Sequence, residues 1–469
     1  MNFPLRFPVL LAMAFSMAAA KLPYPEEVNP GALRYPYGTD TSLYLDAPVE
    51  TSATEPPKTH SPTPVPNKAP DEPPKPTAKS GRIFALPPSG KGFIRVLLQE
   101  VAKTLAVSSS SKARLHWLKR DGSEGDKNYP AGAIHIAYGR EGFRITGAHG
   151  ESFAGKVASL RLSPGDPDAV LGLNGKNYRG ALDIAYDGAG LFCVNVLPME
   201  EYLRGVVPLE MGRMGEGEME ALKAQAVVAR TYGYKFMLAK GNAWFDVRAS
   251  VQDQVYGGVS AEFGTTDRAI RETAGKVLVH HDTLAMCYYH STCGGMTAAR
   301  HEVWGGAMIP YLVTRADRDA DGQPWCRASR YMHWSEEWTL PELASILRHN
   351  LNEAGVRNVP AFHHLKGLRI EKKFADGRVD VLEVRTDRGG FELHGDKIRM
   401  GLKTVSGRIL RSAKFDIEVS GNRVVAEGGG YGHGVGMCQM GAMARSRAGQ
   451  DCATILSAYY PGTVMETAE

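Results

Sequence analysis

Residues 197–234 read LPMEEYLRGVVPLEMGRMGEGEMEALKAQAVVARTYGY, and the rest of the chain can be organised around them. Pro198 suits the first position of a short helix, where a missing N–H costs nothing. Glu200 and Glu201 follow near that N-terminus, where carboxylates favour the helix dipole, and they read as structural. Pro208 fixes φ and removes a donor, so it predicts the end of the element and a turn after it. Glu210 falls in that turn, between Leu209 and Met211. A turn lets a side chain face a cleft from a rigid frame. An apolar surround would raise the Glu210 pKa and leave it carrying a proton near neutral pH. Beyond it, Met219, Leu222, Ala226, Ala229 and Tyr232 recur at three- and four-residue spacing. They predict a helix over 217–240 with one apolar face, stopped by Gly241.

Upstream the pattern changes. IRVLLQEV from Ile94, ARLHWLK from Ala113, AIHIAY from Ala133, FRIT from Phe143, SLRLS from Ser159, ALDIAYD from Ala181 and FCVNV from Phe192 alternate or run apolar. Gly, Asp, Pro and Asn clusters separate them, as between strands. Downstream, KVLVHH from Lys276, LAMCYYHS from Leu284, LRIEKKF from Leu368, VDVLEVRT from Val379 and FDIEVS from Phe415 return to strand character. Helices are expected over 341–354, with Thr339 as cap, and over 441–449 and 451–459. The fold class predicted is α+β: mixed sheets with one long helix, preceded by a β-rich region.

A length of 469 residues leaves room for two or three domains. The N-terminus, MNFPLRFPVLLAMAFSMAAAK, has a positive residue (Arg6), a short apolar run and small residues before Lys21. Residues 1–20 therefore read as a signal peptide and the chain as exported, to a periplasm or cell envelope. Residues 21–80 read as a disordered linker, with nine prolines between Pro56 and Pro76. Residues 83–175 form the β-rich region. No other run is long and apolar enough for a transmembrane helix. The net charge of +4 comes without Lys/Arg blocks interleaved with aromatics, so nucleic acid is not an expected partner. A weakly basic chain does suit an anionic wall. In an exported compartment the six cysteines could pair, and Cys293 with Cys326 is the favoured pair.

Four motifs occur in order: LEMG around Glu210, DQVYGG from Asp253, YHSTCGGMT from Tyr289 with VWGG from Val303, and GYGHGVGMCQMGAMA from Gly430 with ILSAYYPGT from Ile455. Together they resemble the SpoIID/LytB family, sporulation stage II protein D and the amidase enhancers. The resemblance covers residues 177–463 and defines an expected catalytic domain over 176–465. It implies a peptidoglycan lytic transglycosylase that cleaves MurNAc–GlcNAc bonds and leaves 1,6-anhydro ends, with Glu210 as the acid. It also implies glycan strands freed of stem peptides as substrate and a cell-wall amidase as functional partner. Taken alone, a glutamate is usually exposed; the resemblance is what assigns Glu210 its role.

The other candidates are substrate-binding ones. Gln225 and Arg230 lie on the helix after Glu210 and would face the sugar or bond neighbouring backbone. Gln254 would offer an amide and Tyr256 a stacking ring. His290 and Ser291 invite a hydrolase reading, but neighbours on a strand point to opposite faces, which argues against a nucleophile–base pair. His433 and Gln439 sit in a glycine-dense run that lacks a phosphate-loop register. That run is either a wall of a glycan cleft or a packed turn before a helix. Some members of the family hold zinc through His and Cys before the QVY segment. Residues 242–256 here, NAWFDVRASVQDQVY, contain neither. No metal and no cofactor is expected. The rival function class is a non-catalytic wall-binding protein that enhances an amidase.

Overall fold

Strand alternation in the sequence is matched by burial in the folded chain. In Thr104–Ser109 (TLAVSS) every second residue is buried, with Leu105, Val107 and Ser109 inward. The structure is a computed structural model that describes residues 92–119, 121–239 and 244–468. The expected signal peptide, the proline-rich linker, the start of structure at Ile83 and the Gly241 helix stop lie outside those residues.

The fold is α+β, as expected. A seven-stranded sheet runs in the order Val247–Arg248, Phe93–Ala102, Leu191–Pro198, Ala181–Tyr186, Val157–Pro164, Ala113–Lys119, Glu124–Tyr129. A six-stranded sheet runs Lys176–Tyr178, Leu171–Leu173, Thr104–Ser109, Gly132–Gly139, Gly142–Gly147, Ser152–Gly155. Residues of both sheets, among them Leu115, Ile134, Leu160 and Ile184, belong to one core with the helices that follow. The expected boundary at 175/176 therefore runs through shared structure: Leu162 pairs with Leu182, and Leu97 with Val194. Strands on one side of it find their ladder partners on the other, so their edges are closed. A separate core, including Trp338, Leu343, Leu347, Phe362, Leu382 and Val424, belongs to the later strands and to helix Leu340–Asn350. Thr339 caps that helix, its hydroxyl accepting the N–H of Glu342 at 3.3 Å.

Three helices carry the site. The first, α1 (Met199–Met211), begins after Pro198 and does not stop at Pro208. Pro208 lies inside its last turn, so Glu210 is helical and not in a turn. The proline removes one backbone hydrogen bond, but Val206, Val207 and Met211 are fully buried around it and packing holds the turn. Gly212, with φ of +84°, then ends the helix.

The second, α2 (Met219–Ala239), was expected to bury one face. Instead every residue from Ala224 to Gly233 is buried, including Gln225, Arg230 and Thr231. Five alanines in the Met219–Ala239 sequence keep it thin enough to pass through the core centre, touching α1, helix Gly264–Glu272, helix Cys452–Tyr459 and strand Lys276–His280. The third, α3 (Gln439–Arg447), starts two residues earlier than its sequence pattern suggests. The expected strand over 284–291 is broken into Thr283–Leu284 and Tyr289–His290, and the latter pairs in parallel with Met437–Cys438. Among the described residues, no helix is long and apolar enough to cross a membrane.

Candidate active site

Glu210 is placed by the end of α1, and its carboxylate is met by the other three motifs. The backbone N–H of Val255, in DQVYGG, donates to Glu210 Oε1 at 3.0 Å. The side chains of Tyr289, in YHSTCGG, and Gln439, the first residue of α3, lie close enough to act on it as donors and lower its pKa. Further hydrogen bonds extend the network. Gln254 Nε2 donates to the Tyr289 hydroxyl at 3.3 Å, and the Tyr202 hydroxyl donates to Gln254 Oε1 at 3.1 Å. Gln439 Nε2 donates to Gln225 Oε1 at 3.4 Å. Gln225 is wholly buried, and its Nε2 has no protein partner among the described residues.

Burial pushes the Glu210 carboxyl up to about 7, against the lowering effect of its three hydrogen bonds. No charged side chain contributes to that shift. Its place in the last turn of a helix acts in the same upward direction, because the C-terminal end of the dipole disfavours a carboxylate. Glu210 itself keeps partial exposure while Val207 and Met211 beside it are fully buried. The arrangement can hold a proton near neutral pH, release it toward solvent-facing chemistry and take it back.

Other predicted residues fall elsewhere. Arg230 is fully buried and paired with Glu200 through Nε at 2.8 Å and Nη2 at 2.7 Å. Its Nη1 donates to Lys276 O at 3.0 Å, so it ties α1 and α2 to strand Lys276–His280 and does not face a cleft. Glu200 also accepts the N–H of Gly275 at 3.2 Å, which makes the structural reading of this carboxylate specific. The Tyr256 ring is buried against Tyr202 and Tyr178, with its hydroxyl on Asn195 Oδ1 at 2.8 Å. It is a core ring, not an exposed platform; a Cβ at Gly205 would come within 2.4 Å of it.

His433 is buried and accepts the N–H of Val435 at Nδ1, 3.0 Å away. His290 is fully buried, with Nδ1 3.2 Å from Val435 O. Burial first, and then the charge of Arg378, lowers His290 to about 3. The two rings lie 5.5 Å apart. The Ser291 hydroxyl lies 3.2 Å from Thr292 Oγ1, on no histidine. The glycine-dense run is closely packed, since at Gly436 a Cβ would lie 2.0 Å from the carbonyl oxygen of Tyr288, and its last polar residue, Gln439, reaches Glu210. A cavity lined by Lys112, Arg114, His116, Asn128 and Arg161 belongs to the front sheet and contains no residue of the Glu210 network.

Tyr289 and Tyr202 are members of the network that sequence reasoning missed. Tyr289 precedes His290 on a strand, so the opposite-face rule that separated His290 from Ser291 also points to Tyr289 as an alternative. The Cys293–Cys326 disulfide is not formed: all six cysteines are free thiols, and these two sulfurs are 3.6 Å apart.

A single raised carboxyl held by donors from separate segments is an arrangement that general-acid chemistry could use. Comparison with known proteins agrees in family. The family model described as stage II sporulation protein matches residues 187–280, and a domain of unknown function (DUF8618) matches residues 322–436. An uncharacterized protein of Brachyspira hyodysenteriae is 31% identical over 62% of this chain and 72% of its own length. The amidase enhancer of Bacillus subtilis is 30% identical over 66% of this chain, which spans 47% of that relative. Stage II sporulation protein D of Bacillus amyloliquefaciens is 30% identical over 59% of this chain and 76% of its own length. The chain belongs to the SpoIID/LytB family.

Proposed function

We propose that this protein is a lytic transglycosylase acting on the glycan strands of peptidoglycan. The observation that supports it best is Glu210: one carboxyl, raised to about 7, with no charged side chain among the causes of its shift. A hydrolytic glycosidase ordinarily needs two carboxyl groups. A transglycosylase needs one, because the sugar supplies the nucleophile. Protonated Glu210 gives its proton to the oxygen between MurNAc C1 and GlcNAc as that bond breaks. The resulting carboxylate takes the proton of the MurNAc C6 hydroxyl as its oxygen bonds to C1. The products are a free GlcNAc hydroxyl and a 1,6-anhydro-MurNAc end, and Glu210 is protonated again.

Tyr289, Gln439 and the Val255 N–H orient the carboxyl for both transfers, with Gln254 and Gln225 behind them. Residues 1–20 export the chain, and residues 21–80 space it from its anchorage or partners within the envelope. An amidase that strips stem peptides prepares the substrate. The relative named amidase enhancer favours a second reading, in which the protein binds the wall and stimulates an amidase without chemistry of its own. Incubating the full chain with amidase-treated glycan strands, with Glu210→Gln alongside, separates the two. Anhydro-muramic ends from the wild type alone support the first reading. Retained strand binding and amidase stimulation without new ends support the second.

A further inference from the structure

Three of the six cysteines and one aspartate, from residues 293–326 and from the start of α3, meet behind the candidate site. Cys293, Asp317, Cys326 and Cys438 are all buried, and their ligand atoms lie within 4.8 Å of one another. We propose that they form a structural site for a thiolate-seeking divalent metal ion, zinc in the first place. Ligation does not depend on Glu210 being catalytic, so this stands apart from the function proposed above.

The spacing fits an ion better than a disulfide. Zinc takes thiolates at about 2.3 Å and carboxylate oxygens at about 2.0–2.2 Å in a tetrahedron, which puts two sulfurs about 3.8 Å apart and sulfur and oxygen about 3.5 Å apart. Cys293 Sγ is 3.6 Å from Cys326 Sγ and 3.3 Å from Asp317 Oδ2. A disulfide would use two of the thiols and leave the third, Cys438, buried among them. Three sulfurs and one oxygen select zinc over magnesium or calcium, which prefer all-oxygen shells.

The surroundings are those of ligands and not of idle thiols. Backbone N–H groups of Gly295 and Gly441 donate to Cys293 Sγ and Cys438 Sγ, each at 3.3 Å, and the N–H of Cys293 donates to Cys438 Sγ at 3.3 Å. Gly294 and Gly295, with φ of +69° and +88°, make the turn that aims such donors inward. Asp317 is held from behind, its Oδ1 accepting from Arg445 Nη2 at 2.9 Å and from the Tyr459 hydroxyl at 3.1 Å. Partners of this kind orient the ligating side chains of metal sites. Lys414 Nζ on Gly294 O at 2.7 Å adds a positive charge close to the anionic cluster.

The location explains a use. Cys438 immediately precedes Gln439 and caps α3, and its strand pairs with Tyr289–His290. An ion here pins together the two segments whose side chains, Tyr289 and Gln439, hold Glu210.

The test uses the full chain purified without chelators. Elemental analysis should find stoichiometric zinc, and Co²⁺ exchange should produce thiolate charge-transfer and tetrahedral d–d absorption. Chelation should lower the melting temperature and open the three thiols to alkylation. Asp317→Asn and Cys438→Ser should lose most of the metal, whereas Cys452→Ser, at a cysteine outside the cluster, should keep it. Where those variants fail to fold, the wild-type Co²⁺ spectrum decides. A Cys293–Cys326 disulfide in the mapped protein overturns the proposal. So does a metal-free protein whose melting is insensitive to added zinc. Stoichiometric iron would keep the site and overturn its assignment to zinc.

Discussion

The backbone N–H of Val255 donates to Glu210 Oε1 at 3.0 Å, linking the last turn of α1 to a loop 45 residues later. The bond stabilises the charged form of a carboxyl that burial otherwise drives toward the neutral one. Glu210 is thereby held near the midpoint of its titration at neutral pH, where a group can both give and accept a proton.

Glu210→Gln keeps shape and hydrogen-bonding capacity but cannot transfer a proton. Formation of anhydro ends should fall by roughly 10²–10⁴-fold, with strand binding retained. A variant within tenfold of wild type would remove Glu210 from the acid role. Mass spectrometry of digested strands reads the outcome.

Stability should carry the same signature. The folded Glu210 pKa, about 7, lies above the unfolded value of 4.5, so the folded state binds the extra proton between these two. Stability from this group is therefore lost as pH rises from 4.5 through 7. The variant Glu210→Gln has no such loss. The stability difference, variant minus wild type, should grow across that window and level off above it, by at most roughly 3 kcal/mol at 1.36 kcal/mol per pKa unit. Taking the difference matters because His290, lowered to about 3, destabilises both proteins as pH falls below its ordinary 6.5. Urea titrations at several pH values measure it; a flat difference would contradict the burial of the carboxyl.

Tyr289→Phe removes one donor to the Glu210 carboxylate. Losing a bond to the charged form raises the pKa. The alkaline limb of the activity–pH profile should move upward, with a smaller loss in rate than Glu210→Gln gives. Gln439→Ala should move it in the same direction. An unmoved limb in both would show that neither side chain touches the titrating group.

Arg230→Ala leaves Glu200 without its partner and opens a hole in the centre of α2. Glu200 is 37% exposed, so its stranded charge is solvated; the cost comes from the hole left by a large buried side chain, about 2–4 kcal/mol, and chemical denaturation should show that loss. Arg230→Lys should recover little, because the bidentate contact at 2.7 and 2.8 Å needs a guanidinium. Activity per folded molecule should change far less than stability. A variant that folds normally but cannot bind strands would restore the substrate-contact role expected for Arg230.

Much of the local structure was readable from residue order. ARLHWLK, FDIEVS and VDVLEVRT each predict a strand, and the folded strands Ala113–Lys119, Phe415–Ser420 and Val379–Thr386 have those limits. The Thr339 cap was legible for the same reason: side chain and backbone partner are three residues apart. Pro208 was misread because a local rule met a non-local force. Proline disfavours a helix interior, but burial of its neighbours in a shared core outweighed one missing hydrogen bond. Arg230 and Tyr256 were misplaced for a related reason: their partners, Glu200 and Asn195, are 30 and 61 residues away.

The sequence by itself therefore determined many of the strands and the long helix, because periodicity and caps are carried by near neighbours along the chain, and its four motifs, through the family they resemble, marked Glu210 as the carboxyl to watch. Only the tertiary structure decided that Val255, Tyr289 and Gln439 converge on that carboxyl, that Arg230 is a buried strut, and that Cys293, Asp317, Cys326 and Cys438 meet. Most of those contacts join residues tens to more than two hundred positions apart, and burial of one common core, not any local preference, brings them together.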